Sequence, residues 1–197
     1  MNGKLSLAAA HVLVHSGDIF AASGLIKLIK LYRPSLKVYH IRRAEEMRQV
    51  KNNKLRLVVG IATDATNVGD MSHLFDNMRK EKADLPCVLL GDSDNSLLSA
   101  LFPEIPVIGL HASMTEIFEF LASHLARKKK LPQRRTPTTP LLTLRQREVL
   151  RMLACGASAQ QVSDSLGISL KTAYVHRRDI LMRLNICPTY YRGMFTE

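Results

Sequence analysis

Several things are scarce in this chain of 197 residues. It has only three cysteines, Cys87, Cys155 and Cys187, scattered and with no zinc-ligand spacing. Neither a disulfide framework nor a zinc site follows, and a reducing compartment is the expected setting. No run approaches the roughly 20 apolar residues of a membrane span. The opening "MNGKLSLAAAHVLVH" carries Lys4 ahead of an apolar stretch, as a secretion leader would, but it flows into what reads as a first core strand. A cytoplasmic protein without membrane contact is expected. Enzyme signatures are missing too: there is no G-x-S-x-G, no Walker loop and no G-x-G-x-x-G, so no cofactor and no catalytic group is expected.

Acid is the other scarcity, and it is local. Residues 1–126 carry 14 Lys+Arg against 13 Asp+Glu, whereas residues 127–197 carry 14 against 4. The formal net charge of +11 therefore belongs almost wholly to the last third of the chain. Such asymmetry points to a polyanionic partner for that segment.

Over residues 1–126, short apolar runs alternate with amphipathic ones. "HVLVH" (11–15), "LKVYH" (36–40), "LRLVVG" (55–60), "PCVLLG" (86–91) and "IPVIGL" (105–110) read as strands. Segments of helical spacing separate and follow them, including 18–32, 44–50, 70–82, 96–102 and 114–129. Five βα units in that order predict an α/β domain, a doubly wound parallel sheet of five strands with a crevice at the carboxyl ends of the strands. "RKKKLPQRRTPTTP" (127–140) then breaks the pattern with basic residues and three prolines, which predicts an extended linker.

Residues 141–197 read as an all-α unit. Thr143-x-x-Gln146 and Ser158-x-x-Gln161 are capping-box starts, Gly156 and Gly167 are stops, and Ser169 can cap a third helix reaching about Leu184. A short helix, a glycine turn and a longer basic helix make a helix-turn-helix pattern. On a wheel of about 100° per residue, Ala173, His176, Ile180 and Leu184 fall on one side of the third helix. Lys171, Tyr174, Val175, Arg178 and Met182 fall on the other. That outward mixture suits the major groove of double-stranded DNA, where Arg can bond guanine O6 and N7 together and Val can touch a thymine methyl. Arg177 and Arg183 lie toward the flanks, where phosphates run. Ser169, Thr172 and the helix N-terminus can hold another phosphate. His176 falls inside and is expected to pack.

The segment "LTLRQREVLRMLACGASAQQVSDSLGISLKTAYVHRRDILMRLNI" (142–186) resembles the LuxR/NarL/FixJ-type helix-turn-helix of bacterial transcription regulators. Matching positions include Leu142, Thr143, Glu148, Gly156, Ser158, Leu166, Ile168, Thr172 and Ile180. The resemblance implies base contacts at Tyr174, Val175 and Arg178, and phosphate contacts at or near Gln160, Lys171, Thr172 and Arg177. Two departures stand out: Ala173 replaces the usual Val, and "CPTYYRGMFTE" (187–197) lacks the amphipathic helix through which family members dimerise. Pairing, as a homodimer or with another regulator, is therefore expected through the N-terminal domain.

Such regulators often carry a CheY-like receiver at the N-terminus. The resemblance places its metal-binding acids at Ser16 and Gly17, its phosphoacceptor at Gly60, its switch hydroxyl near Gly91 and its lysine at His111. None keeps the required chemistry, so no phosphoacceptor and no metal are expected. Asp18 and Asp64 are the only shifted substitutes nearby. Three readings follow: a phosphorylation-independent DNA-binding regulator; an auxiliary subunit, similar to RcsA-type co-regulators, that binds DNA only with a second response regulator; and a phosphoaccepting regulator using the shifted acids.

Overall fold

A computed structural model describes residues 10–50, 54–63, 68–91, 96–126 and 142–186. Its N-terminal part is one sheet of five parallel strands in the order β2-β1-β3-β4-β5. These are β1 (His11–His15), β2 (Lys37–Ile41), β3 (Leu55–Ala62), β4 (Cys87–Gly91) and β5 (Val107–Ile108). The central strands are apolar along nearly their whole length because helices cover both faces. Val12, Val14, Leu57, Val59, Ile61, Val88 and Leu90 point to the side covered by α1 (Ile19–Tyr32) and α4 (Met114–Leu125). Leu13, Val58 and Leu89 point to the other, against α2 (Val68–Glu81) and α3 (Ser96–Leu101).

Two elements differ from the sequence expectation. The stretch 44–50 is a 3-10 helix, Ala44–Gln49, and not an α-helix. Its apolar positions Ala44, Met47 and Val50 recur every three residues, which matches the 3-10 repeat. The fifth strand spans two residues and not six. Pro106 has no amide to give and enters the sheet only through its carbonyl, which accepts from Leu89 N at 2.9 Å. Beyond the strand, Gly109 starts a turn closed by Ala112 N. The linker 127–140 and the tail 187–197 lie outside the described residues.

The C-terminal unit holds α5 (Leu144–Ala154), α6 (Ala159–Leu166) and α7 (Leu170–Arg183). The sequence signals place its boundaries well. Thr143 and Gln146 close a reciprocal capping box, as do Ser158 and Gln161. Gly167 takes φ +60, a left-handed conformation that a β-carbon would strain, and so turns the chain between α6 and α7. Val149, Leu150, Leu153, Val162, Ala173, Ile180 and Leu184 are buried where the three helices meet.

The two parts are docked. α5 packs on α2 and α3, so its buried residues join the apolar cluster on that side of the sheet. Gly69, in the first turn of α2, sits so close to α5 that a β-carbon there would overlap the Ala154 carbonyl. The Cys155 thiol donates to the Gly69 carbonyl at 3.8 Å. Burial, and then the Asp76 and Asp70 carboxylates, hold that thiol above its ordinary pKa, with Arg151 opposing, so it remains a donor.

Candidate nucleic-acid interface

α7 is positioned by local devices. The Ser169 hydroxyl accepts from Thr172 N at 3.1 Å and lies 2.7 Å from the Thr172 hydroxyl, fixing where the helix begins. Ser163 donates to the Ile168 carbonyl at 2.7 Å and pins the turn before it. From α5, the Arg145 guanidinium reaches both Glu148 and the Leu166 carbonyl at the end of α6. Ala173 is 2% exposed where α7 crosses its supports, and a larger side chain there would lift the helix. Ile180 and Leu184 complete the buried stripe.

The opposite face is open. Lys171, Tyr174, Val175, Arg178 and Met182 are all exposed, bringing together the set the wheel predicts. Tyr174 is 41% and Val175 39% exposed, so each keeps a footing on the helix while its outer edge is free. The Arg178 side chain is 73% exposed, with Asp179 3.9 Å from its Nε, a contact too long and too solvated to hold it. Arg183 is exposed at the end of the helix; Arg177 is half-buried on the flank, as is Thr172 near the N-terminus. Gln160 is exposed on α6, its amide donating to Asp164 at 2.8 Å. His176, expected inside, is half-buried.

At the carboxyl ends of the strands, polar groups are turned upon one another. His15 is fully buried, and its Nε2 lies 2.8 Å from Asp70 Oδ2. The same oxygen accepts from Ala44 N at 2.8 Å, which ties β1, α2 and the 3-10 helix to one carboxylate. The buried Ser16 hydroxyl accepts from Asp18 N and donates to Asp18 O, while the His40 ring meets the Ser16 carbonyl at 3.0 Å. Asp18 is the N-cap of α1, its Oδ1 accepting from Phe20 N at 2.8 Å and Ala21 N at 3.0 Å.

Gly60 has no space for a side chain: a β-carbon would come within 2.7 Å of Met71 Sδ and 2.9 Å of Leu89 Cδ2. At Gly91 it would come within 2.7 Å of Leu98 Cδ1. His111 is exposed in the turn before α4. Asp64 lies outside the described residues. Among the described residues no group of three or more His, Cys, Asp or Glu could hold a metal ion. Nor is any helix among them long and apolar enough to cross a membrane.

Sequence reasoning missed His15, Asp70 and Gly69. His15 and Asp70 are 55 residues apart, and no local spacing announces a bond between a strand end and a helix start. It also missed Arg145 and Ser163 as supports of α7.

Residues 140–187 match the family model described as "Bacterial regulatory proteins, luxR family". No curated protein sequence matches the chain. Among solved structures, RcsB from Salmonella enterica serovar Typhimurium bound to promoter rprA, in the presence of the phosphomimetic BeF3−, is similar with a TM-score of 0.62. The identity is 16%, over 94% of this chain and 98% of that one. The same protein bound to promoter P1flhDC gives 0.61 at 15% identity over the same shares. A complex of the two-component response regulator RcsB with DNA gives 0.51 at 18%, over 90% of this chain and 93% of that chain. At these identities the likeness speaks for the fold. The chain thus has the receiver-plus-helix-turn-helix fold of RcsB, and its C-terminal unit is a luxR-family domain.

Proposed function

We propose that this chain is a bacterial DNA-binding transcription regulator that lays α7 in the major groove and works without phosphotransfer. The observation that carries the proposal is the exposed face of α7, with two cations, an aromatic hydroxyl and a small apolar side chain backed by a buried Ala173–Ile180–Leu184 stripe. Tyr174, Val175 and Arg178 read bases. Gln160, Ser169, Lys171, Thr172, Arg177 and Arg183 meet phosphates around them. Docking through α5 supports this reading, because it leaves that face of α7 uncovered among the described residues.

Independence from phosphorylation has its own support. Asp18 is committed to capping α1, and a side chain at Gly60 would enter the apolar core. Carboxylates placed so cannot gather Mg²⁺ and a phosphoryl group, which need oxygen ligands at close and fixed distances.

The test is binding of the purified chain to DNA fragments selected from a genomic pool, followed as salt is raised. If five phosphates are contacted, log K against log salt falls with a slope of about −4.5. Affinity indifferent to salt would overturn the reading. A footprint that forms only when a second response regulator is added would replace it with the auxiliary-subunit reading. A change of mass or DNA affinity on adding beryllofluoride with Mg²⁺ would restore the phosphoaccepting one.

A further inference from the structure

On α1 the residues Ala22, Leu25 and Ile29 face the sheet and are buried. Directly opposite, at the helical repeat, lie Phe20, Gly24, Lys27 and Leu31. Phe20 is 91% exposed and Leu31 73%, in a helix that already has a fully apolar inner stripe. Gly24 between them is bare: a β-carbon there would meet nothing within 4 Å. A large aromatic left in water on the outermost ridge of a helix marks a surface that something covers.

The neighbour of α1 on this side of the sheet is α4, joined to it by the Tyr32 and Phe118 rings at 5.1 Å. Both helices follow parallel strands, so they run in the same direction. α4 turns Leu121 and His124 inward, and its outward ridge carries Thr115, Glu119 and Ser123, all exposed. The face therefore consists of two parallel ridges, one with an exposed lysine and one with an exposed glutamate. Lys30, the other outward cation on α1, is already bonded to the Leu36 carbonyl at 2.7 Å.

We infer that this face binds a second copy of the same chain about a two-fold axis. A two-fold rotation lays α1 of one copy across α4 of the other. It sets Lys27 opposite Glu119 of the other copy, and does so twice. The apolar ends, Phe20 and Leu31, are then covered on both copies, and bare Gly24 leaves room between them. A partner carrying charge of one sign could satisfy only one of the two ridges; the copy satisfies both. Two helices of 14 and 12 residues side by side span about 21 Å by about 20 Å. That footprint is smaller than the patch behind a standard interface of roughly 800 Å² per partner. The dimer is consequently reversible in the free protein and reinforced when two α7 helices share one duplex.

This inference rests on the DNA-binding reading only for its purpose, and the two fail separately. Sedimentation velocity on the full chain between about 1 and 100 µM is expected to show a monomer–dimer equilibrium. Phe20→Asp should weaken it at least tenfold, and Lys27→Glu several-fold. Lys27→Glu combined with Glu119→Lys should return it to within about threefold of the wild type. All these positions are exposed, so thermal unfolding should be unchanged. Binding to a single half-site reads α7 alone and should be the same in every variant; its loss in the wild type would overturn the DNA reading and leave the dimer standing. Three results would overturn the interface: a wild-type chain that stays monomeric at 100 µM, a dimer indifferent to Phe20→Asp, or a double charge exchange that fails to restore what Lys27→Glu loses.

Discussion

The outer face of α7 and the carboxyl ends of the strands both concentrate polar residues, and they use them in opposite ways. On α7 the long side chains of Lys171, Tyr174 and Arg178 stand in solvent with their functional ends free, while the helix beneath them is locked by caps, a glycine turn and buried Ala173. At the strand ends, His15, Ser16, Asp18 and Asp70 satisfy one another or the backbone, and at Gly60 and Gly91 the core closes in. A site meant for a ligand presents unpaired groups on a rigid support. A region whose polar groups are mutually paired is holding its own elements together. Two regions of one chain thus separate a surface for binding from a joint for structure.

That contrast can be attacked directly. The largest effect is expected from Gly60→Asp, which writes a phosphoacceptor back into the sequence. The carboxylate would enter a space lined by Met71, Phe75 and Leu89, and burying it without a partner should cost about 4 kcal/mol or more. Urea unfolding should register that loss, and beryllofluoride should elicit no response. A stable variant that does respond would show the strand ends to be an adaptable site.

Next is Gly69→Val. Its side chain would collide with the Ala154 carbonyl and force α5 away from α2, a loss of about 1–3 kcal/mol typical of overpacking. Small-angle scattering should detect a larger radius of gyration. An unchanged radius would mean that the two parts are not held by this contact.

Arg178→Ala probes the other side of the comparison. It should leave thermal unfolding within about 0.5 kcal/mol, since the side chain is exposed. Binding should fall by about 1–3 kcal/mol and lose its preference at one base position. Equal losses on all sequences would make Arg178 a phosphate contact.

The smallest effect concerns His11, buried in β1 against Tyr39 with its Nδ1 unpartnered. Burial first, then Lys54 and Lys37, lower its pKa in the folded chain below the ordinary 6.5. Below that value the unfolded chain takes up a proton that the folded one refuses, so this part of the stability is lost as pH falls from about 7 toward 5. Replacing His11 by Leu should flatten that part of the urea-midpoint profile, and a profile of unchanged slope would remove His11 as its cause.

Much of this was legible in the residues because it is local. Helix starts lie in pairs three residues apart, Thr143 with Gln146 and Ser158 with Gln161, and the turn lies in Gly167. The binding face lies in the 100° step between successive residues of α7. The alternation of five apolar runs with five amphipathic ones likewise fixes a parallel sheet covered on both sides. Illegible were β5, trimmed at its edge where Pro106 supplies only a carbonyl, and the 3-10 form of 44–49, chosen by a three-residue spacing within a stretch too short to favour the α repeat.

By itself, then, the sequence determined the order of elements, the unequal distribution of charge and which side of α7 faces outward, since each depends on neighbours a few positions apart. Only the tertiary structure decided that His15 bonds Asp70, that Asp18 is spent on a helix cap and that Gly60 faces the core. It alone decided, too, that Gly69 admits Ala154, and with it that the domains dock through α5 and leave α7 free. Those outcomes depend on where separate elements come to rest against one another, and close packing sets that for the molecule as a whole.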